Sequence, residues 1–302
     1  MSNTKGVVAF LIFAFGLAWV SWEIPIRMGV PINAPLFQPF ALLSAFAPAI
    51  AAVLVRSFVT REGYGDAGLR LRLRSWPWYL FGLALPLVVT AAIVLEASWL
   101  SVAAPDFTIP AVAKLLSANH VPVPPPLQLN LILIGPLLLA AVIGTPVLWG
   151  EEFGWRGYLQ PRLFPSRPLL SAAITGLIWG VWHYPLILRG YDYDDQILAG
   201  ATVFLGSTTL FSFIFAWLVQ RTGSIWSSSL AHAATNAIGG GLTTLWFGAA
   251  HNPVVTSYAG LLAWPPLVLV CLVLMAITKA RKVKDDPVKA RPRADRRYAE
   301  SS

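Results

Sequence analysis

Cysteine and charge are what this chain has least of. Its one cysteine, Cys271, excludes an internal disulfide, and it lies in an apolar run where a small packed or lipid-facing residue is expected. Charged residues make up 12% of the 302 residues, about half the usual share of a soluble domain. No Gly-rich phosphate loop is present, and no pair of histidines flanks a glutamate in the i,i+4 zincin arrangement. The net charge of +8 does not point to nucleic acid, because the basic residues fall between and after apolar blocks.

What is there is apolar sequence in long blocks. Hydrophobic residues make up 56% of the chain. The blocks predict an all-α bundle of eight transmembrane helices in one domain, residues 1–278: 7–22, 36–55, 76–95, 129–150, 169–188, 197–219, 224–247 and 258–278. The first is read as a retained helix, since no small-x-small cleavage site follows it. Pro48 and Pro185 should bend the second and fifth helices. The stretch 99–128 reads as the longest link, rich in proline. Residues 279–302 read as a basic, disordered tail close to anionic lipid headgroups.

Nineteen of the 22 lysines and arginines precede the first helix, fall in or next to alternate links, or lie in the tail. The other three, Arg27, Lys114 and Arg189, fall in the remaining links. This asymmetry predicts that both termini are cytoplasmic, and it places the links near 23–35, 99–128, 189–196 and 248–257 outside.

Polar chemistry at membrane depth is the exception to the pattern. Glu151 and Glu152 close one apolar run, His183 lies in the next, and His232 and Asn236 share a face of the seventh helix. An ionised acid costs at least ~2.5–3.5 kcal/mol at the centre of a membrane helix, so something must offset Glu151 and Glu152. Arg156 is four residues past Glu152 and can pair with it, while Glu151 is rotated about 100° away and left free. Plainer readings exist. The acids could cap a solvated helix end, and the histidines and asparagine could be polar glue between helices. His120 and His251 read as surface histidines of outer links, and Ser227–Ser229 as a helix cap. Gly190-Tyr191-Asp192 resembles an aspartyl intramembrane protease motif only superficially, because it sits in a polar link without a second helix-borne aspartate.

Taken in order, Glu151-Glu152-x-x-x-Arg156, Trp179-x-x-x-His183 and His232-x-x-x-Asn236 resemble the CPBP (ABI) family of intramembrane endopeptidases. That family includes type II CAAX prenyl proteases and bacteriocin-processing or self-immunity proteins. The motif-bearing core is 129–247, and one departure is Trp179, where the family usually has phenylalanine. The resemblance implies a multi-pass cell-membrane protein whose cavity opens to the cytoplasm. It implies that Glu151 and His183 activate a water, that His232 and Asn236 stabilise the oxyanion, and that Glu152, Arg156 and Trp179 support them. Members are described both as metalloproteases and as glutamate-dependent proteases. Glu151, His183 and His232 could supply three Zn²⁺ ligands with a vacant fourth position, although a metal-free water is slightly preferred. The substrate would be a membrane-associated protein or peptide, prenylated or not. The competing readings are a catalytically inactive scaffold or self-immunity protein, and a transporter.

Depth sets one further expectation. At ~1.5 Å per residue, His232 lies about 12 Å in from Ser224 and His183 about 21 Å from Leu169. The two meet only if the fifth helix starts outside the hydrocarbon or tilts.

Overall fold

A computed structural model describes residues 2–248 and 252–284, which contain helices and no strand. In chain order the α-helical segments begin with α1 (Ser2–Arg27), α2 (Gln38–Ala45), α3 (Ala47–Leu54), α4 (Trp76–Trp99) and α5 (Pro110–Ala118). They continue with α6 (Pro126–Gly154), α7 (Gln160–Leu163), α8 (Pro168–Trp182), α9 (Tyr184–Ile187) and α10 (Ile197–Thr222). The last are α11 (Ile225–Ala234), α12 (Gly241–Phe247), α13 (Pro253–Thr256) and α14 (Trp264–Lys284).

Among the described residues, six stretches are long and apolar enough to cross a membrane: Thr4–Arg27, Pro35–Val59, Leu73–Trp99, Pro126–Leu163, Ile197–Thr222 and Pro253–Ala280. The chain is a multi-pass membrane protein. Exposed apolar side chains such as Val88 and Leu95 on α4 and Leu139 and Ile143 on α6 give these helices a lipid-facing surface. The other two expected spans are helical but do not reach that length and hydropathy. Helix α8 has 15 residues. The stretch from α11 to α12 carries Ser227–Ser229, His232 and Thr235 and is interrupted by a π turn at Thr235–Gly240.

Three sequence expectations need correction. The fourth span does not end at Gly150: α6 runs on to Gly154, then through a π turn (Trp155–Leu159) into α7. Glu151 is therefore inside a helix, not at a wetted end. The stretch 99–128 is not simply a link, because it contains α5. The depth mismatch is met in part at the seventh helix. Ser224 is fully buried, and residues 66–72 fold over it, with Gly68 and Leu69 carbonyls accepting from Ile225 N and Trp226 Nε1 at 2.9 Å each. Helix α11 thus starts below the surface. Of the expected tail, residues 279–284 continue α14, and 285–302 lie outside the described residues, as does His251.

Both expected bends occur. The second span breaks at Phe46, between α2 and α3, and the fifth at His183, between α8 and α9. The first break matters for the site. Gly150 and Gly154 press α6 against it so closely that a Cβ on Gly154 would lie 2.2 Å from Pro48 Cβ, and one on Gly150 2.7 Å from the Ala45 carbonyl oxygen. Small residues at four-residue spacing let membrane helices approach in this way.

The two ends of the bundle differ. At one, Arg56 is buried. Its Nη1 donates to Asp66 Oδ1 (2.8 Å) and its Nη2 to the Gly157 carbonyl (3.1 Å), while Arg162 Nη2 donates to Asp66 Oδ2 (2.9 Å). Burial pushes the Asp66 carboxyl up, but the hydrogen bonds and charges of Arg56 and Arg162 outweigh it and hold the group below its usual range. At the other end Arg189 pairs with Glu23, and Gln196 Nε2 donates to Asn252 Oδ1 (2.9 Å). The links expected inside therefore cluster at one end, and those expected outside at the other.

Candidate active site

Helix α6 carries both acids into the protein interior. Glu152 is 0% exposed and Glu151 6%. The expected pair forms: Arg156 Nη1 donates to Glu152 Oε1 at 2.9 Å. Arg156 is buried too, its guanidinium lying over the rings of Trp179 (5.1 Å) and Phe215 (5.2 Å). The same Glu152 oxygen accepts from His232 Nδ1 at 3.1 Å. The pair thus fixes a histidine on a third helix as well as neutralising itself.

Trp179 is the residue whose part the sequence understated. Its indole Nε1–H donates to Glu151 Oε2 at 2.8 Å. Its backbone carbonyl lies 3.0 Å from His183 Nδ1. Its ring edge meets His232 with centroids 4.9 Å apart. One residue of α8 therefore touches the first glutamate and both histidines. Phenylalanine would keep the wall and lose the bond to Glu151. The available signal was spacing: Trp179 precedes His183 by one helical turn on a helix that must face α6.

His183 stands where α8 breaks, because Pro185 has no N–H with which to continue the helix. The rings of Trp182 (4.7 Å), Phe204 (5.1 Å) and Trp22 (6.4 Å) surround it. A carbonyl can only accept, so His183 Nδ1 carries the proton, and in the neutral ring Nε2 is a free acceptor. Asn236 lies one turn past His232 in the π turn Thr235–Gly240, and is exposed.

Glu151, His183, His232 and Asn236 all line one cavity of about 590 Å³, with Trp179 in its wall. Its lining also includes Asn33, Gln38, Gly190, Tyr191, Asp192, Asp194 and Ser257. The 190–194 segment is tightly wound, with positive φ at Gly190 (86°), Asp192 (68°) and Asp194 (50°), a conformation that glycine and aspartate tolerate better than most residues. Asp192 has open cavity on one side and dense protein behind it, and burial pushes its carboxyl up to about 6. The charge of Asp192 in turn pushes the Tyr191 phenol up to about 12.

Residues 127–238 match the type II CAAX prenyl endopeptidase Rce1-like family. CAAX prenyl protease 2 of Methanococcus maripaludis is 40% identical over 62 residues, which is 20% of this chain and 20% of that relative. The resemblance read from the motifs is therefore borne out over this Rce1-like segment, which includes every candidate site residue named from the sequence.

Among the described residues no three His, Cys, Asp or Glu side chains are disposed to hold a metal ion. His232 turns Nδ1 to Glu152, and Glu151 Oε2 accepts from an indole, so His232 Nε2 and Glu151 Oε1 stay outside these bonds. Metal-stripped, chelator-treated protein is expected to keep its activity, as checked by elemental analysis alongside peptide cleavage.

Proposed function

We propose that this chain is an intramembrane endopeptidase that hydrolyses a peptide bond of a membrane-associated protein or peptide. The observation that carries the reading is the gathering of Glu151, His183 and His232 around Trp179 on the wall of one cavity, with Asn236 exposed in it. Peptide hydrolysis needs a base for water, donors for the tetrahedral oxyanion and a proton for the leaving amine.

Glu151 is the base. Trp179 occupies Oε2, which leaves Oε1 to take a proton from the water. The free Nε2 of His183 accepts the water's other hydrogen and fixes its direction. As the water oxygen attacks the carbonyl carbon, the carbonyl oxygen becomes an oxyanion, and the Asn236 amide donates to it. His232 Nδ1 already donates to Glu152. Its Nε2 can therefore donate to the oxyanion only as imidazolium, whose charge the Glu152 carboxylate balances. Glu151 then returns its proton to the amine as the C–N bond breaks.

Trp179→Phe separates packing from hydrogen bonding. It keeps the aromatic contacts with His232 and removes the donor to Glu151. A hydrogen bond to a charged group is worth about 1.5–3 kcal/mol, so kcat is expected to fall at least about tenfold with KM little changed. Steady-state kinetics on purified protein check this; an unchanged kcat would remove Trp179 from the machinery. The reading as a whole is tested by comparing peptides released in membranes holding wild type or Glu151→Gln. Identical peptide profiles would overturn it.

A further inference from the structure

Two expectations drawn from the sequence conflict in this fold. The charge asymmetry puts the basic links in the cytoplasm, while the family resemblance implies a cavity open to the cytoplasm. The cavity, however, reaches solvent at the end of the bundle away from the basic links. We infer that it opens on the non-cytoplasmic face of the membrane. Resting on the protease reading, this makes the substrate a polypeptide segment exposed or translocated on that side, not the tail of a cytoplasmic prenylated protein.

The placement follows from the lining. Its exposed polar members are Asn33 and Gln38 around the link after α1, Asp192 and Asp194 in the link after α9, and Asn236 and Thr244 on the stretch from α11 to α12, with half-buried Ser257 from the segment before α14. These segments share one end, tied by the Arg189–Glu23 pair and by Tyr193 Oη donating to the Ala259 carbonyl at 2.9 Å. Among the described residues, none of the 60–72 link, the 164–167 turn or the Gly223–Ser224 turn lines the cavity. Chain geometry agrees at α8, while on α11 His232 lies ~12 Å from Ser224, which residues 66–72 cover. His183 follows the 15 residues of α8, ~22 Å from the basic end, yet only a short α9 separates it from the Asp192 link.

Topogenic charge favours the same orientation. The basic end carries Arg61, Arg70, Arg72, Arg74, Arg167 and Arg221, all in short links or at span ends, where lysine and arginine set orientation. The cavity end carries Arg27, Lys114 and Arg189. Two of these three, Arg27 and Arg189, are paired with Glu23. An inverted chain would place the basic links outside in every one of these turns.

Vesicle labelling tests orientation whether or not the protein cleaves anything, so its failure differs from failure of the protease reading. A Cys271→Ser background removes the one native thiol. Asn33→Cys and Gln38→Cys report on the cavity end, where both residues are exposed. Gly65→Cys reports on the basic end, where a Cβ meets nothing within 4 Å. A membrane-impermeant maleimide is added to sealed right-side-out and inverted vesicles from the expression host. The expected result is modification at positions 33 and 38 in right-side-out vesicles, and at position 65 only in inverted ones. Modification at position 65 from outside, alone or together with the others, overturns the inference, as does modification of the cavity-end thiols from the inside alone.

Discussion

Glu151→Gln is expected to lower kcat by roughly 10²–10⁴ while leaving the melting temperature in detergent unchanged, the range associated with losing a positioned general base. The exchange is isosteric, and the amide oxygen can still accept from Trp179 Nε1. No helix has to move, and the Asn236 and His232 donors stay in place. What disappears is the carboxylate that lines the cavity beside His183 and His232, since Glu152 is outside the lining and tied to both Arg156 and His232. Cleavage of a reporter peptide in proteoliposomes gives the first number and thermal unfolding the second. Full cleavage by the variant would remove Glu151 as the base, and full function of the variant in a complementation assay would favour the alternative of a non-catalytic scaffold or self-immunity protein.

Arg156→Ala is expected to act through stability first. A buried ion pair that loses one partner leaves an uncompensated charge, which costs about 3–5 kcal/mol. Here the survivor is Glu152, whose side chain is fully enclosed. The loss spreads, because Glu152 Oε1 also holds His232, and the guanidinium packs on Trp179 and Phe215. A marked drop in melting temperature and loss of cleavage should appear together. Changing both partners, Glu152→Gln with Arg156→Met, should recover much of the stability and none of the activity, since His232 then has no carboxylate to balance an imidazolium. If the single and double variants melt alike, the pair is not what holds this part of α6.

Much of the site was legible because membrane helices penalise polar groups so heavily. Five polar residues on three apolar blocks needed a common explanation, and i,i+4 spacing alone paired Glu152 with Arg156. The breaks at Phe46 and His183 were legible from Pro48 and Pro185, whose rings cannot continue a helical ladder. Other features left no such trace. Glycine at 150 and 154 marked α6 as able to approach a neighbour, but not which one. The burial of Ser224 depends on residues 66–72 folding back over it, a contact between segments more than 150 positions apart. The indole bond to Glu151 depends on a rotamer of Trp179 that the residue's name does not reveal. The end on which the cavity opens emerges only when links separated by the whole chain are seen side by side.

The Arg56 clasp has a consequence for how the chain is made. Its guanidinium reaches the carbonyl of Gly157, 101 positions downstream. While the second span is emerging from the ribosome that partner has not been synthesised, so Arg56 is a bare cation available to the insertion machinery. Once the fourth span is in place the same cation is enclosed by protein and can no longer be read. A charge of the kind that biases orientation during insertion is thereby enclosed once the fold closes.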